Sequence, residues 1–92
     1  MSYHPKVIAQ IKAQPISLGT RLGRWAVMLD LPAIKIAMAV GSTRQSVYNW
    51  MKGGEIFVAY QPKVEQIVKI MHESKTADEA WKKICTAFNL RP

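Results

Sequence analysis

The 92-residue chain has few of the residues that build covalent or metal-centred sites. Cys85 is its only cysteine, so an intrachain disulfide is impossible, and a reducing compartment suits the chain. The two histidines, His4 and His72, are far apart and do not form a zinc-ligand spacing with that single thiol. We therefore expect neither a metal nor any other cofactor.

Features of membrane insertion and secretion are also lacking. No apolar run approaches the roughly 20 residues that a membrane-spanning helix needs. Residues 1–5 lack the apolar core and the small-residue cleavage site of a signal peptide. We expect the protein to act in the cytoplasm in which it is made.

Acidic residues are scarce, and their scarcity is uneven. Six Asp and Glu residues against 13 Lys and Arg residues give a net charge of +7. Residues 1–54 hold seven basic residues and a single acid, Asp30, for a net charge of +6, whereas residues 55–92 hold six basic and five acidic residues, for a net charge of +1. Because 49% of the residues are hydrophobic, a disordered basic tail is excluded. The positive charge on the first half of this folded domain therefore indicates a polyanionic partner.

No catalytic arrangement stands out. The acids occur singly or in the pair Asp78 and Glu79, and the chain shows neither a Ser-His-Asp nor a Cys-His set. A glycine-rich phosphate loop is missing too. We expect a protein that is not an enzyme.

Apolar residues recur every three to four positions between prolines and glycines, which predicts an all-α domain of five to six helices. Residues 1–16 form either a short packed helix that begins at Pro5 or a mobile basic arm. Residues 17–92 form one domain, with Ser17 as the N-cap of a helix that runs to about Leu31.

The middle of the chain predicts two short helices around a tight turn. Pro32 opens the first of them and Gly41 ends it, while Thr43 caps the second and Gly53 terminates it. Two further helices are expected at about 62–73 and 77–89, the latter with a capping box formed by Thr76 and Glu79. Residues 55–60 form a structured connector, either an extended stretch or an edge strand.

The central segment, about 33–52, meets the requirements of a helix-turn-helix. Two helices that cross steeply need a small residue at the crossing, a glycine in the turn and apolar anchors towards the core. Ala37 suits the crossing and Gly41 the turn. The anchors are Val40, Val47 and Trp50.

This segment resembles the helix-turn-helix of the phage Cro and repressor-type family, also called Xre-like. The positions that match its pattern without a gap are Ile36, Ala37, Val40, Gly41, Thr43, Val47, Trp50 and Gly53. The resemblance is close over the motif and looser over residues 17–71. It implies a lambda-repressor-like helical fold and sequence-specific binding of double-stranded DNA. Pro32 and Ala33 replace a glutamine that often holds a phosphate in the family, so that contact is not expected here.

A helix that enters the major groove, about 12 Å wide, must present base-bonding side chains on its outer side. With Val47 and Trp50 turned inward, the predicted base contacts are Arg44, Gln45 and Asn49, since Arg bonds guanine and Gln and Asn bond adenine. The predicted contacts to the DNA backbone are Thr43, Ser46, Tyr48, Lys52, Arg21, Arg24 and Lys35. The three tryptophans, Trp25, Trp50 and Trp81, lie in apolar stripes and are expected in the core.

Two functions follow as hypotheses. The first is a DNA-binding transcriptional regulator of a bacterium or phage, similar to a repressor or Cro protein, that acts as a homodimer on a two-fold symmetric operator. Candidate dimer surfaces are residues 56–58 and the exposed side of the last helix. The second is a protein-interaction module on the same scaffold that binds RNA polymerase, a toxin or another protein through the aromatic connector.

Overall fold

The computed structural model describes residues 2–90, which form six α-helices and contain no strand. The all-α prediction is therefore confirmed. The helices are α1 (Pro5–Ala13), α2 (Leu18–Leu29), α3 (Ala33–Val40), α4 (Arg44–Met51), α5 (Gln61–His72) and α6 (Ala77–Ala87).

Side-chain caps begin several helices where the sequence predicts them. The hydroxyl of Ser17 accepts the backbone N–H of Thr20, whose own hydroxyl accepts the N–H of Ser17, so α2 begins with a complete capping box. At α6, Thr76 accepts the N–H of Glu79 as expected. The predicted return bond is wrong by one residue, because the Glu79 carboxylate accepts the N–H of Lys75 instead of that of Thr76.

Helix ends depart slightly from the sequence prediction. Asp30 adopts a left-handed φ of 60° and its N–H bonds back to Ala26 and Val27, which ends α2 before Leu31. Asn89, at φ 55°, similarly lies beyond the end of α6. In the connector 55–60, residues 58–60 form a turn and residues 55–57 have no regular secondary structure, so its alternative as an edge strand is wrong.

Residues 2–14 contain a docked helix, so the structure selects the packed alternative over the arm. Ile11 is fully buried, and the hydroxyl of Tyr3, itself buried, donates to the carbonyl of Leu31 at 2.6 Å. The backbone N–H of Ser2 donates to the carboxylate of Asp30 at 2.6 Å. Residues 2–14 are therefore part of the folded domain.

One core joins all six helices. Leu22, Ile36, Val47, Ile67 and Ile84 are fully buried, and they come from α2, α3, α4, α5 and α6 respectively; Ile11 of α1 belongs to the same cluster. Burying side chains of this size stabilises the fold by about 1.5–3 kcal/mol each. Within residues 2–90, no helix combines the length and the apolar character needed to cross a membrane.

Candidate nucleic-acid interface

The helix-turn-helix geometry begins at Gly41, the residue between α3 and α4. Gly41 has a left-handed φ of 76°, which a residue with a Cβ adopts only at a cost. Its N–H and that of Ser42 both donate to the carbonyl of Ala37, at 2.9 and 3.0 Å. The chain leaves α3 in a closed turn and enters α4 at Arg44, three residues after Gly41.

The hydroxyl of Thr43 starts α4. Its Oγ1 accepts the backbone N–H of Ser46 at 3.1 Å and donates to the Ser46 hydroxyl at 3.0 Å. These bonds satisfy a helix N–H that would otherwise lack a partner. Thr43 and Ser46, two of the predicted phosphate contacts, thus also hold the first turn of the helix.

The inner side of α4 is buried, as the anchors require. Val47 and Met51 are fully buried and Trp50 is nearly so, with its ring 5.4 Å from that of Tyr60. At Gly19 of α2 the backbone of Trp50 comes so close that a Cβ would overlap its carbonyl oxygen. The core position of Trp50 is therefore confirmed, and α2 supports α4 from behind by direct backbone contact.

The outer side of α4 carries the three predicted base contacts together. Arg44, Gln45 and Asn49 are all exposed. The side-chain amide of Gln45 donates to Oδ1 of Asn49 at 3.1 Å, one helical turn away. Lys52, half-buried at the end of the helix, completes this side. An exposed face with a guanidinium, two amides and an ammonium can bond both base edges and phosphates.

Two elements flank this outer side. On one side Tyr48 meets Tyr3 edge to face, with ring centroids 6.1 Å apart. On the other, Ser46, Asn49 and Lys52 line a groove with Phe57 and Tyr60 of the connector. The contact with Tyr3 was missed by sequence reasoning, because the helical pattern of residues 5–14 predicts a helix but not its neighbour.

The three remote basic residues do not join α4. The guanidinium of Arg24 lies 3.4–3.5 Å from the carbonyl oxygens of Gln14 and Lys12, where it ties the end of α1 to α2. The ammonium of Lys35 lies 5.1 Å from the ring centre of Trp81 in α6. Arg21 lies on the side of α2 that faces α5, two residues from Gly19 and therefore opposite the contact with α4. These positions give Arg24 and Lys35 partners inside the protein.

Few charges around the interface are neutralised within the chain. In the part of the chain that the structure describes, the single ion pair joins Lys83 and Glu79 of α6 at 3.9 Å. Among the same residues, no three His, Cys, Asp or Glu side chains are grouped so that they could hold a metal ion. Arg44 of α4 and Lys52 at its C-cap thus form no ion pair within the described residues.

Comparison of the chain with protein-family models, with curated proteins and with solved structures gives no match. Functional inference therefore depends on the geometry of α3 and α4 and on the motif.

Proposed function

We propose that the protein is a sequence-specific, double-stranded DNA-binding transcriptional regulator that inserts the helix of residues 43–52 into the major groove. The observation that carries the proposal is the division of α4 into two sides. Val47, Trp50 and Met51 are buried, while Gln45 and Asn49 are exposed one turn apart on the opposite side, and Arg44 is exposed in the first turn. A helix anchored in this way presents its polar side without flexing, which base recognition requires.

The roles of the side chains follow from their chemistry. Arg44 bonds guanine through its paired N–H groups, and Gln45 and Asn49 bond adenine or each other. Thr43, Ser46, Tyr48 and Lys52 contact phosphates beside the groove. Arg24 and Lys35 are left out of this set, since their cationic groups already lie on the carbonyls of α1 and on Trp81.

Two copies of the chain bind one operator under this proposal. A single helix reads only a few base pairs, so useful specificity requires two half-sites, which lie roughly 34 Å apart for one turn of DNA. The Cα extents of the protein are 32 × 29 × 20 Å, so two copies fit side by side at that spacing. The function proposed is that of a repressor or Cro-like protein in a bacterial cytoplasm, encoded by a bacterium or a phage, with no enzymatic step and no cofactor.

The proposal is tested by selecting bound duplexes from a random 30-base-pair pool at two salt concentrations. The parent is expected to enrich a palindromic site, and Arg44→Ala and Asn49→Ala are expected to abolish the enrichment. Lys82→Ala is the control, because it removes one positive charge from an exposed position of α6, away from α4. Weak binding without sequence preference, equal in all four proteins, contradicts the proposal.

A second function is favoured by one observation on the connector. Phe57 and Val58 are 78% and 79% exposed although they lie on an ordered turn, in which Tyr60 and Gln61 bond back to their carbonyls. Exposed apolar residues on a fixed turn are typical of a protein contact. As a module that binds RNA polymerase, a toxin or another protein, the chain would lose its partner on Phe57→Ala and keep it on Arg44→Ala.

A further inference from the structure

The ends of α1 lie near the second half of α4, in the same chain order, as two contacts show. Tyr3, just before α1, meets Tyr48 of α4, and the side chain of Gln14, just after α1, lies against Gly53, just after α4. A Cβ built on Gly23 would lie 2.9 Å from Cβ of Met51 and 3.1 Å from Cγ2 of Ile11. Both helices therefore pack on α2 around Gly23, and they share one flank of the domain beside the second half of α4.

The edge of α1 beside α4 is defined by residues at helical spacing. Gln14 lies against Gly53, and Gln10 and Lys6 precede it at successive intervals of four residues, which places these three on one edge of the helix. Lys6 and Gln10 are exposed. This edge therefore adds an ammonium and an amide next to the side of α4 that carries Tyr48 and Lys52.

Three anchors hold α1 in this position. Tyr3 donates to the carbonyl of Leu31, Ile11 is buried, and the guanidinium of Arg24 lies on the last carbonyls of the helix. The only acid of residues 1–54, Asp30, accepts the N–H of Ser2 at 2.6 Å. The flank shared by α1 and α4 is thus both fixed in position and predominantly basic.

We infer that α1 is a second DNA-contacting element, in which Lys6 binds a phosphate and Gln10 a phosphate or sugar at the border of the groove that α4 occupies. The inference rests on the proposed function, since the duplex must lie on α4 for the edge of α1 to reach it. Lys6 and Gln10 then bind the sugar-phosphate backbone of one DNA strand next to the half-site. This contact lengthens the stretch of DNA that each protomer covers, without adding base recognition.

Two lysines of α1 supply a matched pair of variants. Lys6 lies on the edge next to α4, whereas Lys12 lies on the other edge, where it lines a groove with Arg24 and Met28. Lys6→Gln and Lys12→Gln remove the same charge from the same helix at exposed positions. Any difference in DNA binding between them reports position and not net charge.

The experiment measures affinity for the duplex enriched by the parent at salt concentrations from 50 to 300 mM. Lys6→Gln is expected to lower the salt slope, d log K/d log [salt], by about 0.9 in magnitude and the affinity about 5- to 10-fold near 0.1 M salt. Gln10→Ala is expected to lower the affinity about threefold, close to one modest hydrogen bond. Lys12→Gln is expected to leave the slope within 0.2 of the parent, a bound set by about a quarter of one phosphate contact.

The outcomes separate the inference from the proposed function. Equal slopes for Lys6→Gln, Lys12→Gln and the parent, together with lost binding in Arg44→Ala, overturn the role of α1 and leave the function of α4 standing. A parent that enriches no duplex overturns both. If Lys6→Gln unfolds at the same temperature as the parent and its salt slope for DNA binding is reduced, the phosphate contact of Lys6 is supported. The equal unfolding temperature excludes loss of fold as the cause.

Discussion

The side-chain amide of Gln45 donates a hydrogen bond to Oδ1 of Asn49, 3.1 Å away on the outer side of α4. The bond leaves Oε1 of Gln45 and the amide group of Asn49 directed to solvent, so the two side chains present an acceptor and a donor side by side. Since each amide orients the other, they are expected to recognise DNA as one unit.

This coupling predicts a non-additive pair of mutations. Asn49→Ala and Gln45→Ala are each expected to weaken binding to the selected duplex about 10- to 100-fold, from one lost base contact each. The double variant is expected to lose less binding free energy than the sum of the losses in the two single variants, with a difference of at least about 0.5 kcal/mol. Titration of the four proteins with the same labelled duplex measures this. Strict additivity would show that the two amides act independently.

The cap of α4 predicts a link between stability and binding. Thr43→Ala removes the acceptor of the Ser46 N–H and is expected to lower the free energy of unfolding by about 1 kcal/mol. The frayed first turn is also expected to weaken DNA binding, because it carries Arg44 and Gln45. Urea unfolding and duplex titration measure the two effects.

Thr76→Ala is the matched control for this cap. It removes the equivalent bond to Glu79 at the start of α6, so a similar loss of stability is expected. Its DNA affinity is expected to equal that of the parent at temperatures where both are folded. If both threonine variants bind DNA equally well, the first turn of α4 has no part in recognition.

The close approach of α2 to α4 predicts an unusual response to alanine at Gly19. In an open helix Gly→Ala is stabilising by about 1 kcal/mol. At Gly19 the new Cβ would overlap the Trp50 carbonyl, so Gly19→Ala is expected to lower the free energy of unfolding by about 1–3 kcal/mol. Gly41→Ala is the comparison, because no atom lies within 4 Å of a Cβ added there. Only the left-handed φ of 76° opposes this substitution, and it is expected to lower the free energy of unfolding by about 1–2 kcal/mol. A neutral Gly19→Ala would mean that α2 and α4 separate easily.

Arg24 is predicted to act on the fold and not on DNA. Arg24→Gln is expected to release the end of α1 from α2 and lower the free energy of unfolding by about 1 kcal/mol, in the range of modest hydrogen bonds. Amide hydrogen exchange in residues 5–13 is expected to accelerate more than exchange in α5. Arg44→Gln, at an exposed position, serves as the control and is expected to leave both measurements unchanged. If amide exchange in α1 is identical in Arg24→Gln and Arg44→Gln, Arg24 does not hold the end of α1 on α2.

The buried phenol of Tyr3 predicts a stability loss at alkaline pH. Burial raises the pKa of Tyr3 above its ordinary value of about 10, and the neighbouring Tyr48 and Asp30 raise the pKa further. The unfolded chain therefore releases this proton at lower pH than the folded chain does. Below about pH 10 the group is protonated in both states and has no effect, whereas stability falls as the pH rises above 10 towards the folded pKa.

Two measurements check this pH dependence. Absorbance at 295 nm during alkaline titration is expected to show that Tyr3 ionises only with unfolding. Tyr3→Phe keeps the ring but loses the hydrogen bond to Leu31, so it is expected to be less stable at neutral pH and to have a weaker pH dependence above 10. An unchanged alkaline slope in Tyr3→Phe would assign the dependence to another group.

Much of the helical pattern could be predicted because its determinants act within a turn of chain. The N-caps at Ser17 and Thr43 and the left-handed stop at Gly41 depend on bonds that span three to five residues. The periodic apolar residues likewise indicate which side of α4 is buried, since its inner and outer sides follow from helical spacing alone. The sequence therefore predicts the exposed positions of Gln45 and Asn49.

The partners of the basic residues could not be predicted in the same way. Arg24 bonds carbonyls 10 and 12 residues away, and Lys35 lies over a ring 46 residues along the chain. A net charge of +6 in residues 1–54 says nothing about which cations are already paired with carbonyls or rings. The prediction that Arg24 and Lys35 contact the DNA backbone could not take these partners within the protein into account.

Because propensity, capping and periodicity are local, the sequence alone predicts the five helical segments that follow Ser17, the turn at Gly41 and the buried inner side of α4. The packing of residues 2–14 as a helix, the contact of Tyr3 with Tyr48 and the inward partners of Arg24 and Lys35 are properties of the tertiary fold. These relationships depend on how six helices share one core, where shape and burial select contacts between residues far apart in the chain.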